Sequence, residues 1–389
     1  MREPSAILKS LMSTERAASS KAPGPDVIPM HTGDPDFPTP AFIAQALNDA
    51  VERGYTHYGA FQGDPELRAV IAEQLTKRSG TAFTAADVLV TTGGSGAVYS
   101  AMFAYLNPGD QVLIPDPNFS QYADVATMIG AEATYVQQTS DFHLDLDRLK
   151  AAATPRAKMI ILCNPCNPTG VVLHRAEIEE LIAWCVERDL WILADEAYDY
   201  LIYDGRKHVS VLDFPGVEDR ILFCQTFSKT FAMTGWRLGY LAGKNGVATN
   251  GLAVHRTTAN AANTAVQRAG LVALTTPTDA PDQMLAEYAY RREMLDEILS
   301  RADGLSWRKP EGTFYAFVKY AADLSAREMA AFLMDRGVAV RSGTEFGPAG
   351  EGHVRLSFAT SRENIREGAR RLAVAAAEAS TLRPKVASR

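Results

Sequence analysis

The sequence predicts an α/β fold: a large domain with a mainly parallel sheet covered by helices, followed by a smaller α+β domain. Three observations predict it. Short, near-continuous apolar runs alternate with amphipathic stretches between Val88 and Ala242, as βαβ units do when their strands are covered on both faces. After about residue 270 the pattern changes to charge-rich helices and shorter strands. The 389-residue length suggests two or three domains, at about 100–200 residues each.

The elements follow in order. The first thirty or so residues read as a helix and an irregular arm. Thr32–Pro40 (TGDPDFPTP) holds three prolines and a glycine, which disfavour regular structure. Helical apolar spacing marks Ala41–Arg53 and Pro65–Ser79. Val88–Thr92 reads as a strand, and Ala97–Leu106 as a helix after the glycines. Gln111–Ile114, Thr134–Val136, Met159–Cys163, Leu190–Ala194, Ile221–Cys224 and Leu238–Ala242 read as further strands, with Ala176–Arg188 a helix between two of them. Beyond 270, Asp282–Arg301, Ala326–Arg336 and Arg362–Ser380 read as helices, and Gly312–Val318, Val338–Val340 and Val354–Phe358 as strands.

Composition excludes several functions. A net charge of −7 argues against a general nucleic-acid binder, which needs a basic footprint. With 47% hydrophobic and 22% charged residues the chain is not mostly disordered. Its apolar runs are strand-sized, so no segment is expected to span a bilayer. Residues Met1–Pro25 lack the apolar region of a signal peptide, which supports a soluble, cytoplasmic reading. Four cysteines are too few for a disulfide scaffold. Cys163 and Cys166 form a C-x-x-C, but no second ligand pair accompanies them and Pro168-Thr169-Gly170 follows instead of a helix. They read as incidental core and loop cysteines. The histidines show no ligand spacing, so no metal site is expected.

Ligands bind outside the carboxyl ends of the strands in an open parallel sheet. Val88–Thr92 is followed by Gly93-Gly94-Ser95-Gly96 and a helix, either an anion cup or a tight strand-to-helix turn. Met159–Cys163 leads into Asn164-Pro165-Cys166-Asn167-Pro168-Thr169-Gly170, either held amides or simply a rigid turn. Leu190–Ala194 is followed by Asp195, Glu196 and Tyr198; a carboxylate there needs a cation, an ion pair or a helix N-terminus. Ile221–Cys224 leads to Thr226, Ser228 and Lys229, with Arg237 beyond. Lys229 lies between aromatic residues, where desolvation would favour amine chemistry, although most lysines are solvated. Together these groups suit a phosphorylated pyridine cofactor held as a Schiff base.

The sequence resembles the fold-type I pyridoxal-phosphate enzymes, specifically class I/II aminotransferases of the bacterial aspartate-aminotransferase-like group. The motifs that carry the resemblance are Gly33-Asp34-Pro35-Asp36-Phe37, Tyr58 with Gly63, Asn164 through Gly170, Asp195-Glu196-Ala197-Tyr198, Ser228-Lys229 with Arg237, and Val354-Arg355-Leu356-Ser357-Phe358. It runs from about Thr32 to the last helix. The resemblance implies that Lys229 carries pyridoxal 5′-phosphate and moves the proton. Asp195 pairs with the pyridinium nitrogen, Asn167 and Tyr198 bond the phenolic oxygen, and Phe119 stacks on the ring. Gly94, Ser95, Gly96, Thr226 and Arg237 surround the phosphate, and Tyr58 reaches the phosphate of a neighbouring subunit in a homodimer with shared active sites. Arg355 grips the substrate α-carboxylate, with Gly33 and Asn167 lining the same site. It also implies an N-terminal arm (1–35) that joins the small domain, a large cofactor-binding domain (36–270) and a small C-terminal domain (271–389).

Two positions depart from the common pattern. Ser95 stands where many relatives carry a lysine, so aspartate specificity is not implied. Arg341-Ser342 replaces the usual small or apolar residue and proline before Gly343; Arg341 facing the pocket could read an anionic side chain, but it reads first as an exposed residue at a strand end. The expected activity is transamination between an α-amino acid and a 2-keto acid. The alternative is another reaction of the same cofactor, such as β/γ-elimination, cyclisation or oxidation. A non-enzymatic regulatory domain would need a DNA-binding segment, for which the arm before Thr32 is too short.

Overall fold

The computed structural model describes residues 3–14 and 24–381, so part of the expected arm lies outside the described residues. A short helix α1 (Ala6–Met12) and strand β1 (Ile28–Pro29) precede helices α2 (Ala41–Glu52) and α3 (Pro65–Ser79). Strands and helices then alternate: β2 (Val88–Thr92), α4 (Gly93–Tyr105), β3 (Gln111–Asp116), α5 (Gln121–Ile129), β4 (Glu132–Gln137), α6 (Leu146–Ala152), β5 (Ala157–Cys163), α7 (Arg175–Glu187), β6 (Trp191–Asp195), β7 (Ile221–Thr226) and β8 (Leu238–Ala242). Helices α8 (Val247–Ala259), α9 (Thr264–Thr275) and α10 (Ala280–Leu299) follow. The chain closes with β9 (Leu305–Trp307), β10 (Tyr315–Tyr320), α11 (Ala326–Asp335), β11 (Val338–Ala339), β12 (Arg341–Ser342), β13 (His353–Ser357) and α12 (Arg362–Ser380).

The main sheet has seven strands in the order β2-β8-β7-β6-β5-β3-β4. It is parallel except for β8, which runs antiparallel to both neighbours. Its central strands read as continuous apolar runs because each face has its own core. Ile160, Leu162, Ile192 and Phe223 enter one cluster, while Met159, Ile161, Leu193 and Leu222 enter the other. The edge strand β4 is mostly part-exposed, as a strand with one free side should be.

A second, four-stranded antiparallel sheet, β12-β13-β10-β9, carries a third core with Met30, Tyr288, Phe314 and Leu356. The segment before Thr32 forms a separate two-stranded parallel sheet, β1 with β11, Ile28 opposite Val338, and Met30 O accepts from Ser357 N of β13 at 2.7 Å. Among the described residues no helix is long and apolar enough to cross a membrane.

Several details differ from the sequence reading. Helix α4 starts at Gly93, so the glycines form its first turn instead of preceding it. Helices α5, α6, α8 and α9 and the short strands β9 and β12 have no counterpart in the sequence reading. Helix α8 contains Gly251 and three threonines, poor helix formers. It forms because it packs on the sheet: a Cβ on Gly251 would lie 2.6 Å from Leu241 and 3.2 Å from Leu89. The histidines lack ligand spacing in sequence, yet the fold brings His143 and His174 beside Glu177, with ligand atoms within 4.8 Å. That carboxylate is already committed, accepting from Leu144 N at 3.1 Å and from both His174 N and His143 Nδ1 at 2.8 Å. It caps α7.

Strand β8 carries the closest backbone approach to the β2–α4 turn. A Cβ on Gly239 would sit 2.6 Å from Gly93 C and 2.7 Å from both Gly94 N and Gln225 O. All three are backbone atoms that cannot swing away. Gly239→Ala is expected to cost about 1–3 kcal/mol of stability, as overpacking does, and the loss is read from urea unfolding.

Candidate active site

The carboxyl ends of β2, β5, β6 and β7 open onto a cavity of about 410 Å³. Its walls include Gly33, Gly94, Ser95, Phe119, Asn167, Asp195, Tyr198, Thr226, Lys229, Arg237 and Arg355. Residues far apart in sequence meet there because every parallel strand delivers its following loop to the same edge of the sheet.

Lys229 follows β7. Its Nζ donates to Gly33 O at 2.7 Å and lies 5.5 Å from the centre of the Phe314 ring. Burial, only partly offset by the Asp34 carboxylate, holds the ammonium down to about 8. The sequence places Lys229 between aromatic residues, and the structure adds a ring from elsewhere in the chain. Its neighbours Phe227 and Phe231 stack on each other, while Phe314 comes from the second sheet's side.

Asp195 ends β6. It accepts from Tyr122 Oη at 2.8 Å and from Ala197 N at 3.2 Å, and burial still pushes its carboxyl above the usual range. A cation in the cavity would relieve that cost. Tyr198 Oη lies 3.1 Å from Tyr315 Oη, and burial raises its phenol well above the ordinary value.

Arg355, on β13, crosses from the second sheet. It donates to Asn167 Oδ1 at 3.1 Å and to His31 O at 2.7 Å. The Tyr315 and Phe346 rings flank it at 4.2 and 4.7 Å. Its buried Nε has no partner. At the other end of the cavity Arg237 adopts φ 56° and donates to Thr234 O at 3.0 Å. A Cβ on Gly93 would sit 2.6 Å from Arg237 Nη2, so the turn and the guanidinium are in direct contact. Helix α4 has no side-chain cap, and its first-turn residues Gly94 and Ser95 line the cavity. That end has the donors a phosphate needs, and the middle has a carboxylate short of a cation. The set fits a phosphorylated pyridine.

Three expected residues lie elsewhere or differ. Gly96 is not on the wall; it packs on Thr92, whose Oγ1 a Cβ would approach to 2.8 Å. Tyr58 is 83% exposed and lines a separate cavity with His57 and Thr264. Arg341 is not the exposed residue expected. Its side chain is 20% exposed, lines the main cavity, and has Nε 3.3 Å from His31 O and Nη1 3.4 Å from Glu345 Oε2. The cause is the β12–β13 ladder, which sets Arg341 directly opposite Arg355.

Sequence reasoning missed Tyr122, Tyr315 and Glu345. Tyr122 follows Phe119 at helical spacing, a usable signal. Tyr315 carries none, although it excludes a side chain at Gly33, where a Cβ would lie 1.7 Å from its Oη.

Comparison with known proteins agrees with this fold. Residues 25–372 match the family of class I and II aminotransferases. An aspartate aminotransferase of Pyrococcus abyssi is 38% identical over 89% of this chain and 91% of its own. An arginine–pyruvate transaminase of Pseudomonas aeruginosa is 36% identical over 93% of each. A solved structure of a Thermus thermophilus aspartate aminotransferase mutant superposes with a TM-score of 0.89 at 33% identity, covering 96% of this chain and all of the other.

Lys229 gives a test that needs no substrate. Its ammonium titrates near 8 in the folded chain against 10.5 ordinarily, so between those values the unfolded state binds more protons and stability rises with pH. Below that window the buried charge destabilises the fold. Lys229→Met is therefore expected to stabilise the cofactor-free chain at neutral pH, with the gain shrinking towards pH 10. Urea unfolding of both proteins across that range checks it.

Proposed function

The chain belongs to the class I and II aminotransferases, pyridoxal-phosphate enzymes that move an amino group between an amino acid and a 2-keto acid, and on that premise we propose a role for each residue around the cavity. The observation that carries the reading is the meeting of Lys229, Asp195 and Arg355 in one cavity. Pyridoxal phosphate, when bound, supplies a carbonyl that condenses with amines and a ring that withdraws electrons from the carbon losing its proton.

Lys229 would hold the cofactor through its amine and, once displaced by a substrate amine, would be the base that takes the substrate Cα proton. An amine kept near pH 8 is partly free to act as a base at neutral pH. Asp195 stays ionised by facing the ring nitrogen, which it keeps protonated. Asn167 and Tyr198 tune the phenolic oxygen, and Phe119 stacks on the ring. Gly94, Ser95, Thr226 and Arg237 would bind the phosphate. Arg355 receives the substrate α-carboxylate in its planar fork, and Gly33 leaves room for it. Tyr58 serves the phosphate of a partner subunit; its exposure supports that role. The division into an arm (1–35), a large domain (36–270) and a small domain (271–389) belongs to the same reading. So does a cytoplasmic setting, supported by four free, buried cysteines.

Amino donors and keto acids screened against the purified protein are expected to interconvert the two absorbance forms of the bound cofactor, with one keto acid consumed for each formed. Ammonia release without keto-acid consumption would overturn transamination. Lys229→Ala should lose turnover, and Arg355→Lys should raise KM about tenfold or more because the fork is lost. Inactive Lys229→Ala and weakened Tyr58→Ala subunits, mixed and refolded together, should regain activity above either alone. No regain would exclude the shared site.

A further inference from the structure

Directly behind the cavity lies a charged cluster that the proposed chemistry does not use. Arg78, in the last turn of α3, reaches the loop after β6: Nη1 is 3.1 Å from Asp199 Oδ2 and Nη2 is 3.2 Å from Glu196 Oε2. The same Nη2 lies 2.5 Å from His208 Nδ1, and His208 Nε2 lies 3.0 Å from Asn164 O. None of Arg78, Glu196, Asp199, His208 and Asn164 lines the cavity.

The hydrogen bonds fix the state of His208. A guanidinium only donates, so Nδ1 accepts; a carbonyl only accepts, so Nε2 carries the proton. The ring is the neutral Nε2–H tautomer, and burial of the imidazole works in the same direction. Arg78, Glu196 and Asp199 surround it, with Asp213 and Tyr240 adjoining the cluster. Glu196 is held at its other oxygen by Ser210 Oγ at 2.7 Å and Val211 N at 3.1 Å.

The sequence interleaves the two sets of residues. Asp195 and Tyr198 face the cavity, while the residues after each, Glu196 and Asp199, face Arg78. On the neighbouring strand end Asn167 faces the cavity, and Asn164, three positions earlier, is tied to His208. Asn164 N also donates to Asp195 O at 3.1 Å. We propose that Arg78 and His208 are positioning residues, a clamp that fixes the β5 and β6 end loops against each other and so sets Asn167, Asp195 and Tyr198 for the cofactor. The proposal rests on the functional reading above only for what those three residues hold.

The test uses the full chain and three variants. His208→Leu removes both hydrogen bonds and leaves no new charge. His208→Gln keeps an acceptor for Arg78 and a donor for Asn164 O. Arg78→Lys keeps the charge and loses the fork. His208→Leu and Arg78→Lys are expected to weaken pyridoxal-phosphate binding about tenfold and to shift the midpoint of the pH titration of its visible absorbance. They should also speed amide exchange at Asn164, Cys166 and Asn167 and at residues 195–199 in the cofactor-free protein. His208→Gln should restore all three readouts towards the parent. Folded variants with parental affinity, titration midpoint and loop exchange would overturn the clamp, as would a His208→Gln protein no better than His208→Leu. A parent chain that takes up no cofactor would overturn the functional reading, while amide exchange, which needs no cofactor, still decides the clamp.

Discussion

Burying charge at the end of a parallel sheet constrains the rest of this structure. Asp195 stands where β6 delivers it, and a carboxylate out of water costs several kcal/mol unless something compensates. Tyr122 and the Ala197 amide compensate only in part, since burial still dominates its ionisation. Lys229 carries the opposite problem, an ammonium that burial pushes towards neutrality. Charge on either group carries a cost that a bound pyridine, with its ring nitrogen and its amine-reactive carbonyl, would remove.

The same constraint explains why the chain needs two sheets. The main sheet supplies the glycine turn, the lysine and the carboxylate from its strand ends. The antiparallel sheet brings Arg355 in from across the cavity, seated between two aromatic rings and bonded to Asn167 of the main sheet. The arginine therefore also joins the two sheets, and what grips a substrate would change that contact. Arg341, opposite it on the ladder, shares the His31 carbonyl and is paired with Glu345. Two arginines side by side are tolerated because carbonyl and carboxylate oxygens lie between them.

Much of this was legible in residues. The βαβ alternation appeared because buried parallel strands are apolar at every position, and β2 and β8 matched their predicted limits. The strand-end groups were legible because topology, not contact, brings them together. Helices such as α8 were not, since their residues have little helical preference and they form only by packing on the sheet. Gly96 was assigned with its neighbours by motif, yet the helix turns it towards Thr92. Arg341 looked solvated because nothing nearby in sequence shows that β12 pairs with β13.

The sequence by itself determined the strands of the main sheet, the lysine, carboxylate and arginines that its motifs single out, and the family the chain belongs to. It could do so because strand patterning and motif spacing are local properties of the chain. Only the tertiary structure decided which aromatic ring meets Lys229, which tyrosine bonds Asp195, and which side Arg341 faces. It also showed that Arg78 and His208 stand behind the site. Those contacts join segments distant in sequence, 73 residues for Asp195 with Tyr122 and 130 for Arg78 with His208, set by packing and by the need to pair each buried charge.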